Sequence, residues 1–504
     1  MGSCAVDGDT GSGHIVMLPF MAHGHLIPFL SLARTFRKYH PNLSISIAAT
    51  PLNVRYLGST MSFSESREIC LKELHYCSSD HGLPPDTENT ENLSLDLIGV
   101  LFGSSSSLAD PLAQLLSEIS AADGRKPVCI ISDVIFGWSV EVARGFGIKC
   151  FSFCTGGAYG TLAYVSLWLN LPHRKTDSDK FAVPGFPEQC RFHRSQLHRF
   201  IRAANRTDHW SMFFYVQLSL SLTSDGWLCN SVEEFEPLGL KLLRNYLKLP
   251  VWPVGPLLPS SMLGHKSQSS SISRVIAAER AGKKPGLSAE KCTEWLNSHV
   301  PDSVLYISFG SQNTISASQM KAVAVGIEAS GKPFIWVVRP PLGFDMKGEF
   351  RSEWLPEGFE RRVMESNQGL LVRTWAPQLE ILSHKSTRAF LSHCGWNSVI
   401  ESLSQGVPII GWPMVAEQAY NSKMMVEEMG VCMELARGVE DEIEADHVKR
   451  VVEIAMENVG TGEDMKRKAV EIGEKIGAAM RNDGEERGST LKALDEFVTT
   501  ILSS

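Results

Sequence analysis

The sequence predicts an α/β protein built from two doubly wound, Rossmann-like domains that face each other across a cleft. Three observations lead there. Short apolar runs alternate with helix-like stretches, the pattern of a parallel sheet covered on both faces. The alternation breaks off in a Ser-, Lys- and Gly-rich middle and then restarts. At 504 residues the chain is also too long for one ordinary core.

Residues 1–13 are small and acidic, lack Lys and Arg, and read as a disordered tail rather than a signal peptide. The first domain is expected over 14–254. His14-Ile-Val-Met-Leu-Pro-Phe20 is its first strand, Leu26 to Tyr39 a helix, and Leu43 to Ala48 a second strand. Val128 to Ser132 and Phe151 to Phe153 are further strands, with helix-like Gly137 to Phe146 between them. Residues 255–287, from Gly255-Pro-Leu-Leu-Pro-Ser-Ser261 onward, read as a linker with a mobile loop. The second domain is expected over 288–480. Its strands are Val304 to Phe309, Pro333 to Val338, Gly369 to Val372, Arg388 to Ser392 and Val407 to Ile410. Ser316 to Ser330 is a helix, and the chain from Glu444 onward is helical with alternating charge. The last helix, 481–504, is expected to pack back toward the first domain. Two such halves place a ligand at the carboxyl ends of their strands.

Composition excludes several classes. A net charge of −8 argues against a dedicated nucleic-acid binder. No apolar run reaches the roughly 18 residues that cross a bilayer. The eleven cysteines are scattered in apolar runs, as expected of buried thiols in a reducing, cytoplasmic compartment. The triplets at Asn42, Asn92 and Asn205 are read as chance occurrences of the glycosylation pattern. A monomer without a metal is expected.

The densest cluster of unusual residues runs from Trp375 to Gln418. It opens Trp375-Ala-Pro-Gln378, continues Ser392-His-Cys-Gly-Trp-Asn-Ser398 and Glu401, and closes Glu417-Gln418. Its middle part is a strand, a Gly-containing turn and a helix start. That geometry aims backbone N–H groups and the positive helix end at one point, which suits a diphosphate. His393, Asn397 and Ser398 can add side-chain donors. Ser398-Val-Ile-Glu401 equally fits a capping box. Composition and spacing support an anion-binding turn and nothing more specific.

His23-Gly-His25 follows the first strand, at the sheet edge where chemistry is expected. A neutral histidine can take a proton near pH 7. The pair could also be a metal pair or a polar turn. Asp133 ends the strand Val128 to Ser132. A carboxylate beside an imidazole fixes its tautomer and stabilises its charged form; the alternative is that Asp133 caps the next helix.

The stretch from Trp375 to Gln418 closely resembles, without a gap, the box of the plant UDP-dependent glycosyltransferases of secondary metabolism (family 1, GT-B fold). The resemblance extends to Phe309-Gly-Ser311 and to Gly331-Lys-Pro-Phe-Ile-Trp-Val-Val-Arg339. It implies that Trp375 stacks on uracil, while Ala376 and Gln378 meet its edges and the ribose. Glu401 would accept from the ribose hydroxyls. His393, Asn397, Ser398 and Ser311 would hold the phosphates. Trp396, Glu417 and Gln418 would face the sugar. Many relatives close the box with Asp-Gln, so Glu417 is a departure, and the relatives with Gln at the last place generally use UDP-glucose. The catalytic His and Asp carry over to His25 and Asp133, whereas His23 matches no family-wide catalytic position. The implied function is inverting transfer of glucose from UDP-glucose, a co-substrate, to a hydroxyl or carboxyl of a small lipophilic acceptor such as a phenolic, flavonoid or terpenoid.

A dinucleotide-binding oxidoreductase lacks its glycine fingerprint, since Phe20-Met-Ala-His-Gly-His25 stands there. Gly326-Ile-Glu-Ala-Ser-Gly-Lys332 lacks the Ser or Thr of a phosphate-binding loop. A non-enzymatic nucleotide-sugar binder would keep the box without needing both His25 and Asp133. The acceptor pocket is expected from Asp80 to Asn92 and Phe181 to Tyr215, where Phe192, Trp210, Phe213, Phe214 and Tyr215 are aromatic. A helix face packed on the core is the other reading of those rings.

Overall fold

The computed structural model describes residues 13–91, 93–259, 262–263, 286–346, 348–482 and 486–503. The tail before residue 13, most of the expected mobile loop, and Asn92 lie outside the described residues. The chain divides into two compact units. One comprises residues 1–191, 200–257 and 479–504; the other comprises 192–199 and 258–478.

The first unit is built on a seven-stranded parallel sheet. Its strands are β1 (His14–Leu18), β2 (Ser44–Ala49), β3 (Ile69–Glu73), β4 (Cys129–Asp133), β5 (Lys149–Cys154), β8 (Gly226–Cys229) and β9 (Val251–Pro253), in the order β3-β2-β1-β4-β5-β8-β9. A small ribbon, β6 (Lys180–Ala182) with β7 (Arg191–His193), lies apart from it. The central strands are apolar on both faces because helices cover both. Ile15, Met17, Ile131, Phe151 and Phe153 are all buried in one cluster with Leu26, Phe29 and Leu30 of the helix His23–Tyr39. Residues 14–20, 43–48 and 128–133 fold as their apolar runs require. The strands β3, β8 and β9 carry no comparable signal: they are short and contain Lys, Glu, Gly or Pro.

The second unit repeats the scheme with six parallel strands. They are β10 (Val304–Ser308), β11 (Phe334–Val338), β12 (Gly369–Arg373), β13 (Thr387–Ser392), β14 (Ile409–Gly411) and β15 (Cys432–Glu434), ordered β12-β11-β10-β13-β14-β15. Leu305, Ile307, Trp336, Val338, Leu391 and Ile410 pack with the helices Ala317–Ala329 and Ala445–Ala455 in one core.

In both sheets the chain steps outward in opposite directions from two adjacent central strands. These are β1 and β4 in the first unit and β10 and β13 in the second. At such a switch point the crossovers diverge and leave the carboxyl ends of the two strands open for a ligand. Leu18 is in register with Ser132, and Ser308 with Ser392, so the residues following each pair emerge side by side.

One segment of the first half joins the second unit, and the last helix joins the first. Residues 192–199 fall in the second unit because Phe192 is fully buried with its ring 5.9 Å from Tyr420. Lys423 lies 5.3 Å from the same ring. The helix Ser489–Leu502 belongs to the first unit. Its Leu494, Phe497 and Ile501 enter the first core, and the Phe497 ring sits 5.0 Å from Phe151, 5.3 Å from Trp252 and 5.8 Å from Phe36. Ser489 donates to Glu234 at 2.7 Å, and Arg487 pairs with Asp495 at 2.6 Å beside His40.

A fully buried aromatic touching three others is a keystone of its core. Phe497→Ala is expected to destabilise the first unit by about 3–5 kcal/mol, read as a lowered denaturant midpoint. A loss below about 1 kcal/mol would mean that the last helix contributes little to that core.

Candidate active site

In the first unit, β1 ends at Leu18 and the chain turns through Pro19–Ala22 into the helix His23–Tyr39. His25 therefore sits in the first helical turn, at the open end of the sheet. Its Nδ1 lies 2.6 Å from Asp133 Oδ2, at the end of the neighbouring strand β4. An ionised carboxylate only accepts, so Nδ1 carries the proton and Nε2 presents a lone pair. Asp133 is completely buried, while the His25 side chain keeps 29% exposure. The acid is thus sealed behind the imidazole, and the imidazole remains accessible. Asp133 Oδ1 accepts from the Ile135 N–H at 3.2 Å, and Thr155 Oγ1 lies 3.4 Å from His25 Nδ1. Asp133 does not cap the following helix, whose N-cap is Gly137. Phe20 meets the His25 ring edge-on at 5.3 Å.

His23 points elsewhere. Its ring stacks on Tyr56 at 4.0 Å, and its Nδ1 lies 3.4 Å from Glu91. The two histidines do not form a metal pair, because each ring is directed to a different partner. Among the described residues, no group of three or more His, Cys, Asp or Glu side chains could hold a metal ion.

The aromatic residues expected at an acceptor site separate into four kinds. Trp210 and Phe213 flank Phe102, with centroids at 5.4 and 5.5 Å, and Phe102 packs on Phe20 at 4.4 Å. These half-buried rings continue from His25 outward. Phe214 is buried and stacks on Trp168 at 4.6 Å, so it is core. Tyr215 is exposed beneath the Arg206 guanidinium. Phe192 belongs to the second unit, as described above.

In the second unit, β13 ends at Ser392, and Cys394 takes a left-handed φ of +62° before the helix Trp396–Ser404. The first-turn N–H groups of a helix have no acceptor within it and carry its positive end. His393 stands beside that turn between two glycines. A Cβ on Gly310 would fall 2.6 Å from His393 Nε2, and one on Gly395 would fall 2.5 Å away. Gly310 also has φ +76°, so this position favours glycine twice over. Burial, aided by the nearby Arg339 charge, lowers the His393 pKa to about 4. The ring is therefore neutral at ordinary pH. Its Nδ1 is buried without a hydrogen-bond partner. Ser311 is exposed in the adjacent β10 turn, where its carbonyl accepts from Arg339 at 2.6 Å.

Trp375 and Ala376 follow β12 through Thr374, at φ +74°. Trp375 is half-buried and Ala376 buried. The Gln378 amide is turned inward. Its Nε2 donates to Ser398 Oγ at 3.0 Å and to Glu401 Oε2 at 2.6 Å, while Oε1 accepts from Tyr306 at 3.1 Å. This corrects the capping-box reading of Ser398 and Glu401. The helix begins earlier, its N-cap is Gly395 without a side-chain bond, and both residues clasp Gln378 instead. Trp396 is buried and Asn397 half-buried in the first turn.

Glu417 is the N-cap of the helix Gln418–Met424. Gln418 Oε1 accepts from the Met414 and Val415 N–H groups at 2.9 and 3.0 Å, which turns the amide nitrogen into the donor left for other use. Sequence reasoning missed Tyr306 and Asn421. Nothing in an apolar strand run marks Tyr306, and Asn421 stands beyond the box on an ordinary helix.

Comparison with known proteins identifies the family. A family model described as UDP-glucoronosyl and UDP-glucosyl transferase matches residues 275–459. One described as glycosyltransferase, N-terminal domain, matches residues 12–259. UDP-glycosyltransferase 92A1 of Arabidopsis thaliana is 40% identical over 96% of both chains. Crocetin glucosyltransferase 3 of Crocus sativus is 43% identical over 96% of this chain and 98% of its own. The crystal structure of Glycyrrhiza uralensis UGT73P12, complexed with glycyrrhetinic acid 3-O-monoglucuronide, superposes with a TM-score of 0.80 at 27% identity, covering 98% of this chain and 96% of that one. Two Rossmann-like units, each with its switch point loaded with the residues described, and full-length identity of this order show that the chain is an enzyme of the plant UDP-glycosyltransferase family.

Proposed function

We propose that this enzyme transfers glucose from UDP-glucose to a hydroxyl of a small lipophilic acceptor, with inversion at the anomeric carbon. The observation that carries the reading is the His25–Asp133 pair, because a nucleotide-sugar binder has no use for an oriented base. His25 Nε2 takes the acceptor proton as its oxygen attacks the anomeric carbon. The bond from that carbon to the UDP oxygen breaks on the opposite face, so an α-linked donor gives a β-linked product. Asp133 stabilises the imidazolium that forms. The charge growing on UDP is met by the helix start at Trp396, by His393 and by Ser311.

Trp375 is read as the uracil platform, and Ala376 and Glu401 as contacts to base and ribose. Trp396, Glu417 and Gln418 are assigned to the sugar. The half-buried rings Phe102, Trp210 and Phe213 favour a lipophilic acceptor, in keeping with relatives named for crocetin and scopoletin. Among the described residues no helix is long and apolar enough to cross a membrane. Buried thiols such as Cys129, Cys150 and Cys292 favour a cytosolic site of action, which subcellular fractionation tests.

His25→Ala is expected to lower turnover by roughly 10²–10⁴ while UDP affinity stays nearly unchanged. His23→Ala should cost far less. Near-wild-type turnover of His25→Ala on an unactivated alcohol would remove it as the base.

The reading is metal-independent, and donor binding should require neither a divalent ion nor a histidinium. His393 gains its proton only near pH 4. UDP-glucose affinity should therefore be level between about pH 5 and 8, and activity should survive EDTA. Loss in EDTA restored by a divalent cation, or a break in affinity near pH 6.5, would contradict it.

Sugar choice tests the closing pair. Glucose and galactose differ in one hydroxyl, so one or two hydrogen bonds, each roughly 0.5–1.5 kcal/mol, set a preference rather than an exclusion. Gln418→His loses the carbonyl that holds Met414 and Val415 and changes the donor. It should shift use away from UDP-glucose relative to UDP-galactose in competition at equal concentration. A wild-type preference for UDP-galactose, UDP-xylose or UDP-glucuronate would show that Glu417 has reshaped the sugar pocket.

A further inference from the structure

We infer that Asn421 is a positioning residue that ties the sugar-facing carboxylate of Glu417 to the diphosphate-binding turn, making the Glu417–Asn421 pair a determinant of donor-sugar binding. The inference rests on the assignment of Glu417 to the sugar.

Asn421 is completely buried one helical turn beyond Glu417. Its Nδ2 donates in two directions. One bond, 3.0 Å, reaches the Cys394 carbonyl in the turn that opens the helix Trp396–Ser404; the other, 3.3 Å, reaches Glu417 Oε1. Both acceptors are oxygens, so the amide orientation is forced, since the flipped amide would face Oδ1 against two acceptors. Oδ1 is left buried with no partner, a cost that an apolar residue of similar size would not carry.

The length of Glu417 has a use in this arrangement. The carboxylate folds back by i to i+4 to reach Asn421, and an aspartate would end about 1.5 Å shorter, by one C–C bond. Cys394 is held in turn by its N–H to Ser392 Oγ at 3.2 Å, in the left-handed conformation that begins the turn. The carboxylate, the amide and the turn form one connected chain. The position of a group on the sugar is thereby referred to the position of the diphosphate, which is the relation that a nucleotide sugar imposes.

The test measures direct binding of UDP-glucose and of UDP by calorimetry, with thermal melts to confirm folding. Asn421→Ala is expected to weaken UDP-glucose roughly ten- to hundredfold, the range for a lost bond to a charged group, while UDP changes no more than about threefold. Asn421→Leu, which is close in volume and removes the donors without adding a charge, should show the same split and replaces the alanine variant if that one does not fold. Glu417→Gln should weaken UDP-glucose selectively, and the double variant Glu417→Gln with Asn421→Ala should be no weaker than the worse single variant. Equal losses for UDP and UDP-glucose would make Asn421 purely structural and overturn the proposal, as would additive losses in the double variant. A Glu417→Gln protein with unchanged affinity for UDP-glucose would instead show that Glu417 does not face the sugar, which removes the assignment underneath.

Discussion

Everything functional in this chain depends on a constraint of parallel sheets. Parallel strands must be joined by crossovers, and where successive crossovers leave two adjacent strands in opposite directions, the ends of those strands cannot be covered. The chain contains this situation twice, between β1 and β4 and between β10 and β13. The backbone reaches both openings from several strands, so residues far apart in sequence arrive as neighbours. His25 and Asp133 are 108 positions apart and share a hydrogen bond. Gly310 and His393 meet because β10 and β13 are in register at Ser308 and Ser392.

The two openings are furnished by opposite electrostatic means. In the first, a fully buried carboxylate is admitted because an imidazole and a backbone N–H satisfy it. In the second, the donors are backbone groups at a helix start and a neutral histidine whose charged form is suppressed by burial and by Arg339. These are dipoles already in place rather than full charges. The packing around His393 shows how tightly this is built, since neither flanking glycine has room for a methyl group.

Residues around these openings act in chains rather than singly. Tyr306, Gln378, Ser398 and Glu401 form one, and Glu417, Asn421 and Cys394 another. Each joins residues of the stretch Trp375 to Gln418 through one residue outside it, Tyr306 in the first and Asn421 in the second. An amide whose nitrogen donates to two oxygens at once, as in Gln378 and Asn421, has a single orientation.

By itself the sequence determined the periodicity that makes two parallel-sheet units, because central strands buried on both faces must be apolar throughout. It also determined the strand, the turn and the helix start that lie within the stretch from Trp375 to Gln418. Short edge strands such as β3 and β15 were not legible, since an edge needs few apolar residues and tolerates Lys or Glu. Three matters only the tertiary structure decided. Ser398 and Glu401 clasp Gln378 rather than cap a helix; Phe192 leaves its neighbours in sequence to pack on Tyr420; and Asn421 joins Glu417 to Cys394. The physical reason is common to all three. A polar or aromatic side chain on a short segment has several local partners of similar strength, and the choice falls to whichever arrangement leaves the fewest buried groups unsatisfied once the distant strands have come together.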